Sequence, residues 1–192
     1  NNFSSADLQQ VCDICRENGV KSYLTLNIVL YDEDIEPMKE ALQAAKAAGI
    51  TAVIASDMAA ITYARELGIE VHISTQLSIS NSQSLKFYAQ YADVIVLARE
   101  LNLGQVKEIK ATIDREQIKG PSGRLLEIEM FCHGALCMAI SGKCYLSLHE
   151  YGASANRGSC YQLCRRGYSV TDLETGNTLE IDNKYIMSPK DL

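Results

Sequence analysis

Residues 52–74 read AVIASDMAAITYARELGIEVHIS. Ala52-Val53-Ile54-Ala55 is a short, wholly apolar run, the pattern of a strand buried on both faces. Met58, Ile61, Ala64 and Leu67 then recur at helical spacing, and Gly68 ends the run. Glu70 to Ser74 reads as a second strand. A strand, a helix and a strand in such quick succession describe two parallel strands joined by a covering helix.

The same alternation extends in both directions. Toward the N-terminus, Ile35, Met38, Leu42 and Ala45 mark a helix stopped by Gly49, and Tyr23 to Leu30 marks a strand before it. Ser4-Ser5-Ala6-Asp7 reads as a capping box. It opens a helix carrying Leu8, Val11, Cys12 and Cys15 on one face and closing at Asn18-Gly19. Cys12-x-x-Cys15 has the spacing of a redox or zinc half-site, but its helical phase favours two small apolar residues on the buried face. Toward the C-terminus, Leu85, Tyr88 and Ala89 mark a helix, Asp93 to Leu97 a strand, Val106, Ile109 and Ile113 a helix, and Leu125 to Phe131 a strand. The expected fold is α/β: a parallel (β/α) TIM-barrel-like fold, incomplete in this chain. An open doubly wound sheet is the alternative, although no G-x-G-x-x-G follows the early strands. Residues 168–186 read as a hairpin excursion turning at Thr175-Gly176-Asn177-Thr178. Residues 1–192 are expected to form a partial barrel domain of a longer protein, since no initiator Met is present and the chain stops at Ser188-Pro189-Lys190-Asp191-Leu192.

Composition narrows the function. Hydrophobic residues make up 47% and charged residues 22%, as in ordinary globular proteins. No apolar run reaches the eighteen or so residues of a membrane span, and Asn1 leads straight into a helix signature rather than a secretory leader. A cytoplasmic location with reduced thiols is expected. The net charge of −6 argues against a chain-wide nucleic-acid footprint, although Lys143, Arg157, Arg165 and Arg166 form a local basic group.

Polar residues gather where the strands run out, which in a barrel is where chemistry sits. They are Asn27; Ser56 and Asp57; His72, Ser74, Thr75 and Gln76; Arg99 and Glu100; and finally Glu129 and His133. Glu127 and Glu129 share one strand face. His72 or Glu129 suits proton transfer, and the planar fork of Arg99 suits a carboxylate or phosphate. The bland readings stand beside these. Asp57 and Thr75 can cap the following helices, His72 can be a satisfied core histidine, and Arg99-Glu100 can be a surface pair.

Five of the seven cysteines fall in the segment 129–164, EMFCHGALCMAISGKCYLSLHEYGASANRGSCYQLC. A nucleophilic Cys, with His133 or His149 as base, needs one thiol and leaves the others unexplained. Zinc prefers close pairs, a spacing that Cys160-x3-Cys164 has. An iron–sulfur cluster accepts thiolates from separated turns, which suits Cys137, Cys144 and Cys160, with Cys164 or a cysteine beyond Leu192 as fourth ligand.

The pattern E-x-F-x-x-G-A-L-C-x4-G-x-C-x-L-S from Glu129 to Ser147 resembles the signature of the collagenase-like peptidase family U32. Asn156-Arg157-Gly158-Ser159-Cys160-x-x-x-Cys164-Arg165 resembles its next block, and His72-x-Ser74-Thr75-Gln76 and Ser188 to Leu192 also look familial. The resemblance implies either proteolysis or oxygen-independent hydroxylation of a tRNA uridine, an rRNA cytidine or a quinone precursor. It also implies an iron–sulfur cluster, of the 4Fe–4S type, on Cys137, Cys144 and Cys160, with a fourth ligand past this chain's end. Prephenate is an implied co-substrate. Cys132 stands where a small apolar residue is expected.

Three functions are therefore weighed: a cluster-dependent RNA hydroxylase, a peptidase and a noncatalytic metal-stabilised assembly module. No Ser-His-Asp order and no H-E-x-x-H is present, which counts against a conventional protease. On the hydroxylase expectation His72, Gln76, Arg99, Glu129 and His133 line a pocket at the strand ends. Arg157, Arg165 and Arg166 meet RNA at its rim.

Overall fold

In a computed structural model that describes residues 4–134 and 137–181, Leu24 lies beside Val53, Val53 beside Val71, Ile73 beside Ile95 and Ile95 beside Ile128, always in parallel register. The strands are β1 (Tyr23–Leu26), β2 (Ala52–Ala55), β3 (Glu70–Ile73), β4 (Val94–Val96) and β5 (Glu127–Glu129). The helices are α1 (Ser5–Glu17), α2 (Ile35–Ala48), α3 (Met58–Glu66), α4 (Ser82–Ala89) and α5 (Leu103–Glu116). Strand order in space equals order in the chain, β1-β2-β3-β4-β5. A doubly wound sheet would reverse that order at a switch point. Here the winding never reverses, which is the progression of a barrel arc. The five strands form an open arc rather than a closed barrel.

The sheet's two faces differ because side chains alternate along each strand. Val53, Ala55, Val71, Ile73 and Ile95 point into one buried cluster with Met38 and Leu42 of α2, Ile61 of α3, Leu85 of α4 and Ile113 of α5. Full burial of each large aliphatic side chain contributes about 1.5–3 kcal/mol. The opposite face carries Tyr23, Ile54, Glu70, His72, Val94, Val96, Glu127 and Glu129.

Four strands are shorter than the runs read from the sequence, and β4 is one of them, spanning Val94–Val96 rather than Asp93 to Leu97. β1 ends at Leu26 rather than Leu30, because its ladder with β2 stops at the Leu26–Ala55 pair. β3 ends at Ile73, and Ser74 instead caps the 3₁₀ turn that follows. β5 covers Glu127–Glu129 rather than Leu125 to Phe131, since Leu125 is taken by an antiparallel bridge to Lys119. The capping box forms as expected, with Ser4 and Asp7 exchanging hydrogen bonds at the start of α1. Cys12 is buried, whereas Cys15 is half-buried.

The chain divides into two compact units, Asn1–Met130 and Phe131–Leu192. The second holds one short helix, α6 (Leu146–Tyr151), and an antiparallel hairpin of β6 (Tyr168–Thr171) and β7 (Thr178–Ile181). The expected excursion at 168–186 is a hairpin through Ile181, and its last residues, 182–186, lie outside the described residues. Among the described residues of this unit, Leu163 is the one buried apolar side chain. Its other buried side chains are the polar Ser141, Ser147 and Asn156. No described helix is long and apolar enough to cross a membrane.

Candidate functional site

In the first unit the open face of the sheet gathers charge around His72. Its ring is buried, 4% exposed, in the middle of β3. Glu129 Oε1 lies 3.2 Å from Nδ1 and Glu70 Oε1 lies 3.4 Å from Nε2. The Glu129 contact is off the line of a hydrogen bond, so Nδ1 is a buried polar atom without a hydrogen-bond partner. Tyr23 packs on the imidazole, with ring centroids 5.1 Å apart. Arg124 neutralises the outer carboxylates, reaching Glu70 at 3.1 Å and Glu127 at 3.8 Å.

The strand ends are tied to one another. Ser56 Oγ donates to Gln76 Oε1 at 3.3 Å, which links the end of β2 to the turn after β3. Thr75 Oγ1 donates to the Leu97 carbonyl at 3.2 Å, which links that turn to the end of β4. Asp57 is a helix cap after all: its carboxylate accepts the Ala59 N–H at 2.9 Å. Thr75 caps nothing, and Ser74 takes that place by accepting the Gln76 N–H. Arg99 is half-buried in the turn after β4, and Glu100 beside it is exposed.

In the second unit Cys137, Cys144 and Cys164 are half-buried and Cys160 is exposed. Burial pushes the Cys164 thiol above the ordinary range, and the charges of Cys137, Cys160 and Cys144 push it further, while Arg165 pulls it down. Cys137, Cys144 and Cys160 thus each sit within electrostatic range of Cys164. Among the described residues no three His, Cys, Asp or Glu side chains close on a single metal ion.

Buried polar side chains fix the backbone on either side of these thiols. Asn156 Oδ1 accepts the Cys144 N–H at 3.2 Å, and Ser147 Oγ accepts the Tyr161 N–H, next to Cys160, at 3.0 Å. Gly142 makes the turn before Cys144 with φ of 73°, a conformation that side-chain-bearing residues avoid. An open pocket of about 430 Å³ adjoins Cys144, with Met138, Lys143, Tyr145 and His149 in its wall. In donor chemistry the thiols suit a soft metal or an iron–sulfur cluster: they lie on separate turns, and those at Cys144 and Cys160 are braced by hydrogen bonds to buried side chains.

Peptidase family U32 matches along residues 1–192. The chain belongs to this family. A "Collagenase" of Porphyromonas gingivalis is 62% identical over 192 residues, which is all of this chain and 46% of that protein. A 23S rRNA 5-hydroxycytidine synthase of Escherichia coli is 36% identical, over 98% of this chain and 27% of its own length. A tRNA hydroxylation protein of Bacillus subtilis is 34% identical, over all of this chain and 44% of its own. The chain therefore spans less than half of each of these relatives. The solved structure of a U32 peptidase, Mk0906, is similar with a TM-score of 0.50 at 16% identity, over 66% of this chain and 51% of that one, a likeness of fold alone.

Of the residues that the family pattern points to, His72 and Glu129 are in contact, and Gln76 is bound to Ser56. Arg99 stays in its turn in the same unit, whereas His133 is exposed and belongs to the second unit. Arg166 is exposed, and Arg157 and Arg165 are half-buried. Sequence reasoning missed Glu70 and Arg124, although Glu70, two residues before His72, had to share its strand face. It gave no role to Asn156 and Ser147, although both stand in the stretches that resemble the family.

Proposed function

We propose that this chain is the substrate-handling part of an iron–sulfur-dependent hydroxylase that modifies RNA without oxygen, at a tRNA uridine or an rRNA cytidine. One observation carries the reading. The second unit buries a single apolar side chain among its described residues, yet it brings Cys137, Cys144 and Cys160 each within electrostatic range of Cys164. A unit this small needs a staple where its apolar core is lacking. Thiols that stay reduced provide one by binding a metal group.

Cys137, Cys144 and Cys160 would hold the cluster, with Cys164 or a thiol from the rest of the protein as fourth ligand. A bound cluster supplies one-electron redox chemistry. The protein's own groups then have distinct tasks. His72 and Glu129, in contact on the open face of the sheet, would hold and move the proton. Arg99 would bind an anionic group of the substrate or of a co-substrate such as prephenate. Arg157, Arg165 and Arg166 would meet the RNA backbone. Relatives named for tRNA and rRNA hydroxylation support the RNA assignment.

The peptidase reading has its own support. The collagenase-named relative is the more similar one, and a buried histidine beside a carboxylate can activate water. One experiment separates the two. The full-length protein is purified anaerobically, its iron content and visible spectrum are recorded, and RNA from a gene-deletion strain complemented with Cys137→Ala or Cys144→Ala is analysed by mass spectrometry. The hydroxylase reading expects a cluster spectrum and loss of the hydroxylated nucleoside in both variants. Full hydroxylation in those variants, or peptide cleavage by protein lacking the thiols, overturns it.

A further inference from the structure

Tyr151 ends α6 and Tyr161 directly follows Cys160. Their rings meet with centroids 4.9 Å apart and 34° between the planes. Both are about half exposed, 47% and 51%. Arg166 lies with its guanidinium 5.4 Å from the Tyr151 ring centroid and donates to the Tyr151 hydroxyl at 2.6 Å. The Tyr161 backbone is anchored by buried Ser147. Two rings and a guanidinium are thus held in place at the surface, although none of them serves a core.

Charge indicates what such a surface takes. From Cys137 to Val170 the cations are Lys143, Arg157, Arg165 and Arg166, against the single carboxylate of Glu150, and the carboxylates of Asp172, Glu174 and Glu180 follow on the hairpin. Aromatic rings and arginine also recur at protein interfaces. A cationic excess inside an acidic chain selects a polyanion instead. Single-stranded nucleic acid combines both demands, since every base offers a face for stacking and every nucleotide a phosphate.

We propose that Tyr151, Tyr161 and Arg166 form a platform for one unstacked nucleotide of a single-stranded RNA segment, with the base on the tyrosine rings and the phosphate at Arg166. The platform adjoins Cys160 and Cys164 in the chain. The proposal rests on the RNA-hydroxylase reading and names the surface by which that enzyme grips its substrate.

The test uses the full-length protein and a fluorescently labelled single-stranded RNA oligonucleotide at fixed salt. Tyr151→Leu and Tyr161→Leu are each expected to weaken binding about five-fold to a hundred-fold, the range for loss of one stacked base. Tyr161→Phe keeps the ring and should bind like the unmodified protein, with iron content as the check on folding. Arg166→Ala should lower the slope of log affinity against log salt by about one. Absence of RNA binding by the unmodified protein, or leucine variants within two-fold of it, overturns the platform. So does tyrosine-dependent binding of a Gly-Pro-rich peptide in place of RNA. If the cysteine variants keep RNA hydroxylation while the leucine variants lose RNA, the cluster dependence of the reaction fails and the platform stands. If the cysteine variants lose hydroxylation while the leucine variants keep RNA, the platform alone fails.

Discussion

Glu129 of β5 reaches over β4 to stand 3.2 Å from Nδ1 of His72 in β3. The residues of β4 on that face are Val94 and Val96, which are short enough to let the carboxylate pass. Glu70 flanks the other ring nitrogen at 3.4 Å. A buried imidazole between two carboxylates, with an unsatisfied nitrogen, is a costly arrangement for a mere core residue.

Glu129→Ala therefore separates function from stability. The Glu129 side chain is 44% exposed, so its truncation should change stability by less than about 1 kcal/mol. If it moves or holds a proton in the reaction, RNA modification should fall about a hundred-fold or more. Thermal melting and nucleoside mass spectrometry on the same variant check both halves. Unchanged modification removes Glu129 from the chemistry.

Gly120→Ala tests the turn that leads into β5. A Cβ at Gly120 would lie 2.7 Å from the Asp93 Cα and 2.8 Å from the Ala92 carbonyl, backbone that cannot step aside. The same Asp93 accepts hydrogen bonds from the backbone N–H and hydroxyl of Ser122, at 3.1 and 2.6 Å, so the turn is pinned. The expected loss is about 1–3 kcal/mol, read as a shift in the denaturation midpoint. A neutral result would mean that the turn is looser than this packing implies.

Much of the first unit was legible because its signal is periodic. Each apolar run became a strand in the expected order, and the amphipathic helices fell where Met38, Leu42, Ile61, Leu85 and Ile113 placed them. Strand ends were not legible. Leu125 looks like a strand residue but is taken by a bridge to Lys119, and β1 stops where its neighbour stops. The bridge joins residues only six apart, across a turn, whereas the end of β1 is decided by β2, distant in sequence. The pairing of His72 with Glu129 was half legible, since both carried strand-end signals while their contact depends on the intervening valines. The Arg124–Glu70 bond joins residues 54 apart, and nothing local announces it.

Asn156→Ala probes the second unit, where the cysteines were legible and their supports were not. The buried Asn156 amide satisfies the Cys144 N–H. Its loss leaves that donor unpaired, at a cost of about 1–3 kcal/mol if it stays buried. Hydrogen exchange should quicken around Cys144 while the amides of β2 and β3 keep their protection. Unchanged exchange at Cys144 would show that another group holds the turn.

Before any metal is bound, the thiols should differ in reactivity. Cys164 is half-buried, and burial foremost, then the charges of Cys137, Cys160 and Cys144, disfavours its thiolate, with Arg165 opposing. The thiolate is the reactive form, so a raised pKa lowers reactivity at neutral pH. In cluster-free protein, alkylation by iodoacetamide should be slower at Cys164 than at exposed Cys160, and the gap should narrow as pH rises past the ordinary thiol range. Cys137→Ala and Cys144→Ala each remove one repelling charge, so each should speed Cys164 alkylation at a fixed mildly alkaline pH. Arg165→Ala removes the opposing charge and should slow it. Peptide-level mass spectrometry reads all three. Rates at Cys164 that ignore the other cysteines would mean that the four sulfurs do not share one electrostatic site.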